Sequence, residues 1–319
     1  MRINTAPLKV CVLGGTGFLG TALVTRLAAA GYWVRVPTRS LSHGRQLTVL
    51  PTVELALANV HEPRVLGELL SGMDAAVNLV GTLNERAGAR FKQIHVELVS
   101  RLIEEARIAR VPRLLHVSAI GADPERAPSR YLRTKGQAEA LVRASGLEFT
   151  ILRPSVIFGP GDSLTNRFLR LLRLGAGILP LARASAKFAP VYVDDVAAAL
   201  ALALRDRAAI GRTYDLGGPD ILTLAEIVRA AAAAAGVPCH ILALPDWLGR
   251  LEALLLGLLP GKPFSLDNFR SLSLDSVGAR DGLAELGIAP QRMAAVLPTY
   301  LASVARPARL AGNRAASER

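Results

Sequence analysis

Tyr131 and Lys135 stand four residues apart in Tyr131-Leu132-Arg133-Thr134-Lys135, a spacing that places both side chains on one face of a helix. An ammonium group beside a phenol favours the phenolate, so the pair suits general acid–base transfer, and the lysine can also hold ribose hydroxyls. With five tyrosines and five lysines in 319 residues, a Tyr four residues ahead of a Lys is expected by chance only about 0.08 times. Ser118 ends the apolar run that precedes this helix. At the carboxyl end of a strand its hydroxyl can bond a substrate carbonyl alongside Tyr131, or merely cap the strand. Ser118, Tyr131 and Lys135 are the candidate catalytic residues.

Such groups need a scaffold that brings a cofactor to them. The run Gly14-Gly15-Thr16-Gly17-Phe18-Leu19-Gly20 follows an apolar strand over Leu8–Leu13 and leads into a helix over Thr21–Ala30. Glycines at such a strand–helix turn let backbone N–H groups approach a pyrophosphate, where the helix dipole favours negative charge. Gly14, Thr16, Gly17, Phe18, Leu19 and Gly20 are therefore expected cofactor contacts. Further strands are expected over Tyr32–Val36, Val53–Leu57, Ala75–Val80, Leu114–Ser118 and Glu148–Leu152, with an amphipathic helix over Arg90–Arg110. Strands alternating with helices at this interval predict an α/β fold, a Rossmann-type doubly wound parallel sheet. The strand over Tyr32–Val36 runs into Pro37-Thr38-Arg39-Ser40 with no acidic residue in reach. An acid there accepts from a ribose 2′-OH, whereas an arginine suits a 2′-phosphate. Arg39, with Ser40 as a second donor, thus favours NADP(H), with NAD(H) as the alternative.

Beyond about Arg153 the alternation becomes irregular, punctuated by Pro154, Gly159-Pro160-Gly161, Gly175, Pro180 and Pro190. The expected organisation is a nucleotide-binding core over 1–153, with later elements returning to about 216. A smaller, partly interleaved substrate region follows over 154–305, then a disordered tail over 306–319. Asp246–Leu259 is apolar almost all round and reads as a buried or subunit-interface helix, with a membrane- or partner-facing helix as the alternative. Phe158, Phe168 and Trp247 suggest a lipid-like, quinone-like or otherwise apolar substrate.

Half of the residues are hydrophobic (51%) and the net charge is +12. Arginines are dispersed, without a basic stripe interleaved with aromatics, so no nucleic-acid partner is expected, whereas attraction to anionic membrane surfaces stays open. No run reaches the length of a spanning helix. Cleavage of a secretory signal would remove part of the nucleotide-binding unit, so a cytoplasmic location is expected, with a peripheral seat at the inner membrane face as the alternative. Two cysteines and five histidines without ligand spacing predict neither a disulfide framework nor a metal site.

Together these features resemble the short-chain dehydrogenase/reductase superfamily over about Lys9–Leu216. The glycine pattern is Gly14, Gly17 and Gly20, the strand-four turn is Asn78-Leu79-Val80-Gly81, and the Tyr-x-x-x-Lys pair is Tyr131 and Lys135. Arg153-Pro154 through Gly159-Pro160-Gly161, and Val193-Asp194-Asp195-Val196, look like segments of the extended, epimerase-like branch, where Asp194 or Asp195 would cap the next helix. The resemblance implies cofactor contacts at Asn59, Val60, Val80, Gly81 and Pro154. Asn59 stands where an Asp is usual and His95 where an Asn is usual. Twelve residues between Ser118 and Tyr131 leave little loop for a sugar-nucleotide pocket, which weighs against an epimerase. His116-Val117-Ser118, Ser129 to Lys135, Asn166-Arg167-Phe168-Leu169 and Pro190-Val191-Tyr192-Val193 are similar to the dinucleotide-binding accessory subunit of respiratory complex I and its bacterial relatives. That resemblance implies tightly held NADPH in a structural or sensing role. Three readings follow: an oxidoreductase on an apolar carbonyl or alcohol, a nucleotide-holding structural or assembly protein, and an NADP(H) sensor.

Overall fold

The structure, a computed structural model, describes residues 8–85, 90–258 and 264–302. The expected tail over 306–319 and Leu259 lie outside the described residues. In chain order the elements are β1 (Lys9–Leu13), α1 (Phe18–Ala29), β2 (Trp33–Thr38), β3 (Val53–Leu57), α2 (Pro63–Leu70), β4 (Ala75–Asn78), α3 (Leu98–Ile108), β5 (Arg113–Val117), α4 (Arg130–Arg143) and β6 (Glu148–Pro154). They continue with β7 (Ile157–Phe158), α5 (Ser163–Leu174), β8 (Ile178–Ala182), β9 (Lys187–Phe188), β10 (Val191–Tyr192), α6 (Val193–Arg205) and β11 (Thr213–Leu216). The last are β12 (Leu222–Thr223), α7 (Leu224–Ala234), β13 (His240–Leu244), α8 (Asp246–Leu258), α9 (Leu266–Ser271) and α10 (Gly282–Glu285).

Two compact units share these elements. The first takes the chain up to Pro154, then Val193–Leu216 and Ala279–Ala289; the second takes Ser155–Tyr192, Gly217–Gly278 and the chain from Pro290. The first unit holds one seven-stranded parallel sheet in the order β11-β6-β5-β4-β1-β2-β3. The order reverses between β1 and β4, the position at which ligands bind in open α/β sheets, beyond the carboxyl ends of the strands. This is the expected doubly wound fold. Strand β1, Lys-Val-Cys-Val-Leu, is buried from its second residue on because helices cover both faces of a parallel sheet. On one face Leu66 and Leu70 of α2, Leu98 and Leu102 of α3, and Ala138 and Val142 of α4 pack with Cys11 and Leu114.

Several element bounds differ from those read in the sequence. Helix α1 begins at Phe18 rather than Thr21, because the glycines that open it are accommodated in its first turn. Strands β2 and β6 run on to Thr38 and Pro154, while β4 stops at Asn78, where the chain turns. The helix expected over 90–110 is two pieces, a π-helical turn at Lys92–Glu97 followed by α3. Asp194 and Asp195 lie inside the first turn of α6, where they complement the helix dipole instead of capping it.

The second unit has its own core, in which α5, α7 and residues 293–301 pack through Leu169, Leu172, Ile227, Val228, Val296 and Leu297. Asp162 caps α5 by accepting from Thr165 N at 2.7 Å, and Thr223 with Glu226 forms a capping box on α7. Phe158 is fully buried in this core. It is therefore a packing residue and not the substrate-lining residue suggested by sequence. Helix α8 is not buried either. Only Gly249 and Ala253 are covered, against a small cluster of Ala182 and Phe269.

Candidate functional site

The glycine turn is built by backbone constraints. Gly14 adopts φ +81°, which a side chain would strain, and a Cβ there would come within 3.2 Å of the Leu79 carbonyl carbon and 3.3 Å of Val80 N. Gly17 donates to Gly14 O at 3.0 Å and is the N-cap of α1, with no side-chain cap. The first-turn N–H groups of α1 thus await an acceptor, as a phosphate-binding helix start requires. Gly20 is a packing position: a Cβ would lie 2.2 Å from Gly14 O and 2.6 Å from the Gly15 Cα. Thr16 and Phe18 are half-buried beside the turn and Leu19 is buried.

Parallel pairing sets the next residues side by side. Thr38 ends β2 opposite Leu57 of β3, and Ala58 N donates to Thr38 O at 2.8 Å. Arg39 and Asn59, with Val60, therefore leave the same edge of the sheet. Arg39 is exposed. Arg101 of α3 reaches this edge and donates to the His61 carbonyl at 2.6 Å. Burial, then Arg101 and Arg39, hold the His61 pKa below its usual value. Three basic side chains from three segments thus converge, an arrangement that suits an anion. Sequence reasoning found Arg39 only. His61 and Arg101 carry no local motif, because pairing and helix packing bring them in. Ser40 instead bonds Ser42 Oγ at 2.7 Å, and Asn59 is held locally, donating to Glu62 Oε1 at 3.1 Å and accepting from His61 N at 3.2 Å.

At the end of β4, Asn78 Oδ1 accepts from Val80 N at 3.1 Å, so its amide nitrogen faces His116 Nδ1 at 3.2 Å. That bond makes Nδ1 the acceptor and places the His116 proton on Nε2, which is buried without a partner among the described residues. Gly81 follows, where a Cβ would stand 3.2 Å from Lys135 Nζ. Pro154, the last residue of β6, is buried and accepts from Ile120 N at 3.2 Å.

Helix α4 carries Tyr131 and Lys135 and is started by Ser129, whose hydroxyl accepts from Leu132 N at 3.2 Å. Lys135 is buried and donates to Val117 O at 3.0 Å, which joins α4 to the end of β5 immediately before Ser118. Ser118 Oγ is itself buried without a hydrogen-bond partner among the described residues. Burial lowers the Lys135 pKa to about 8 against the opposing charge of Glu139, which Arg143 and Arg153 hold at 2.8 and 2.6 Å. Tyr131 differs from the expectation of a lowered pKa. Burial pushes its phenol up to about 12, while the Lys135 ammonium is engaged with a backbone carbonyl. The phenol is consequently a proton donor at neutral pH.

His95 is the residue the motif reading undervalued. Its Nε2 accepts from Thr82 N at 3.2 Å, so Nδ1 carries the proton and donates to Thr134 Oγ1 at 2.9 Å. Thr134 in turn donates to the Tyr131 carbonyl at 3.0 Å. The ring stacks on Phe91 at 5.6 Å and meets Tyr131 edge-on at 5.5 Å. The π-helical turn presents His95 to these partners, as such turns often do at functional sites.

Both buried histidines resist protonation. Burial, with Lys135 next, brings His95 to about 2 and His116 to about 3. The unfolded chain takes up these protons near pH 6.5 and the fold refuses them, so stability is full above that pH and is lost as pH falls toward about 3. Urea midpoints measured across this range should fall with a slope approaching two protons per molecule from the histidines alone. A flat profile between about pH 6.5 and about pH 4 would refute buried neutral rings.

The sheet and its switch-point turn define a Rossmann-type nucleotide-binding protein. The NAD dependent epimerase/dehydratase family model matches residues 10–217, and the chain belongs to that family. It is 34% identical over 235 residues to the mitochondrial NADH dehydrogenase [ubiquinone] 1 alpha subcomplex subunit 9 of Arabidopsis thaliana, covering 72% of this chain and 58% of that protein. The chain therefore spans little more than half the length of that relative. It is 32% identical over 249 residues to the ceramide reductase of Caulobacter vibrioides, covering 74% of each. Its fold matches that of the UDP-glucose 4-epimerase of Thermotoga maritima with a TM-score of 0.72 at 18% identity, covering 95% of this chain and all of that one.

Proposed function

We propose that this chain binds NADP(H) and reduces an apolar carbonyl compound, with Tyr131 as the proton donor. The observation that carries the reading is the hydroxyl of Ser118. It is buried, has no partner among the described residues, and adjoins the carbonyl that holds Lys135. A buried polar group is normally satisfied, so one left open at the carboxyl end of a central strand is fitted to a ligand atom. The residues also fit a dinucleotide: the start of α1, with no side-chain cap, would receive a pyrophosphate, Arg39 with Arg101 and His61 would favour a 2′-phosphate, and Lys135 would suit ribose hydroxyls. A nicotinamide nucleotide supplies a hydride when bound. The phenol O–H of Tyr131 breaks as the carbonyl oxygen gains its proton, and Ser118 donates a hydrogen bond to that oxygen. The ceramide reductase relative supports an apolar substrate.

A second reading, a protein that holds NADPH for structure and associates with a respiratory complex, is favoured by the identity to the plant subunit. One experiment separates them. The purified chain is denatured, the released nucleotide identified, and NADPH oxidation followed against long-chain ketones and quinones. Turnover supports the reductase, whereas bound NADPH without turnover supports the holder.

The cofactor preference has its own check. Arg39→Ala should weaken NADPH binding about ten- to hundredfold, the range of one charged hydrogen bond, and leave NADH binding unchanged. Titration of both nucleotides decides it, and equal effects on the two would remove Arg39 from the phosphate site.

A further inference from the structure

Helix α8 is packed inside out. Gly249 and Ala253 are its buried residues, and a Cβ on Gly249 would come within 2.8 Å of Ala182 Cβ and 2.9 Å of the Phe269 ring. Trp247, Leu251, Leu254, Leu255 and Leu258 recur at helical spacing on the opposite side. Trp247 is 67% exposed and Leu258 is 78% exposed. A globular helix ordinarily turns such residues inward, and an exposed apolar face of this kind marks an interaction surface. The charges on the helix are disposed around that face. Asp246 pairs with Arg183 at 3.0 Å, Glu252 is half-buried, and Arg250 is exposed.

We propose that α8 lies in the headgroup region of an anionic lipid bilayer, anchoring the chain to the membrane surface through its exposed apolar face. Charge selects the occupant. Two copies of a chain with net charge +12 repel one another, whereas an anionic surface attracts each of them. The face has the residues an interfacial helix uses: a tryptophan in the first turn, leucines along its length, and an arginine whose head can reach phosphate groups. Among the described residues no helix is long and apolar enough to cross a membrane, so an interfacial seat is the mode of attachment this element offers.

The chain has two tryptophans, Trp33 and Trp247, so Trp33→Phe leaves Trp247 as the sole reporter. The full chain is mixed with vesicles of pure phosphatidylcholine or of phosphatidylcholine with phosphatidylglycerol, at low and high salt. The expected result is flotation with the anionic vesicles at low salt, a blue shift of Trp247 emission, and its quenching by brominated lipid. Leu254→Glu with Leu255→Glu should reduce partitioning at least about tenfold without changing the melting temperature. The quenching measurement stands should that variant fold poorly. Absence of flotation with anionic vesicles at low salt overturns the proposal, as does flotation without quenching of Trp247. A concentration-dependent dimer that Leu254→Glu and Leu255→Glu abolish, with no vesicle binding, assigns the face to a second copy instead.

Discussion

Tyr131→Phe is expected to lower carbonyl reduction by about 10²–10⁴-fold while nucleotide remains bound. The substitution removes the hydroxyl that would donate the proton and keeps the ring. The phenyl ring retains its edge-on contacts with His95 at 5.5 Å and Phe91 at 6.0 Å, and the Thr134 bond goes to the Tyr131 backbone, which is unchanged. Because burial keeps the phenol protonated until about pH 12, loss of its proton does not limit the rate in the working range. Lys135 does, since its ammonium loses charge near pH 8. Turnover should therefore fall on the alkaline side of about pH 8 in the wild type. Stopped-flow oxidation of NADPH and equilibrium binding of the same nucleotide test both points. Undiminished turnover in Tyr131→Phe would assign the proton to another group, and a loss of binding would make Tyr131 a structural residue.

Gly20→Ala is expected to cost more than its size suggests. The added methyl would stand 2.2 Å from Gly14 O and 2.6 Å from the Gly15 Cα, and both obstacles are backbone. Overpacking of this kind costs about 1–3 kcal/mol, and relief here requires moving the glycine turn itself. Nucleotide binding should therefore fail together with stability. Gly17→Ala provides the comparison. Its φ of −79° is ordinary and its nearest obstacle is Gly14 O at 3.2 Å, so stability should be nearly retained. Thermal melts with and without NADPH rank the two, and equal destabilisation would show that the turn is not the rigid element described.

The parts of this protein that are legible in its sequence are those that local chemistry dictates. The apolar runs of β1 and β4 read as strands between helices, and Gly14 to Gly17 as the turn that opens α1, with Gly20 in its first turn. Tyr131 and Lys135 are legible because a helix fixes their mutual position. His95, His116, His61 and Arg101 are not, because each acquires its role from a partner 38 to 40 residues away: Thr134, Asn78, Arg101 and His61 respectively. The direction of the Tyr131 pKa is hidden from the sequence for a related reason. Motif spacing shows that a lysine is near, but not that the Val117 carbonyl holds it or that burial dominates. Helix α8 is legible in part. Its apolar composition fits a buried helix, an interface helix or a membrane-facing one, and the two small residues Gly249 and Ala253 decide which face packs within the chain.

The π-helical turn at Lys92–Glu97 bears on how this chain can change in length. A π turn accommodates one residue more than an α turn, so deletion of a single residue there would restore ordinary helix geometry and leave α3 whole. The turns on either side would keep their register, because the residue lost is the one the wide turn absorbs, but the bulge that presents His95 would be gone. His95 would leave Thr82 and Thr134, and Tyr131 would lose its edge-on neighbour. A one-residue gap, which in a regular helix turns the buried face by about 100°, would here pass through the fold unnoticed and separate sequences that keep an ordered Tyr131 from those that keep only the fold.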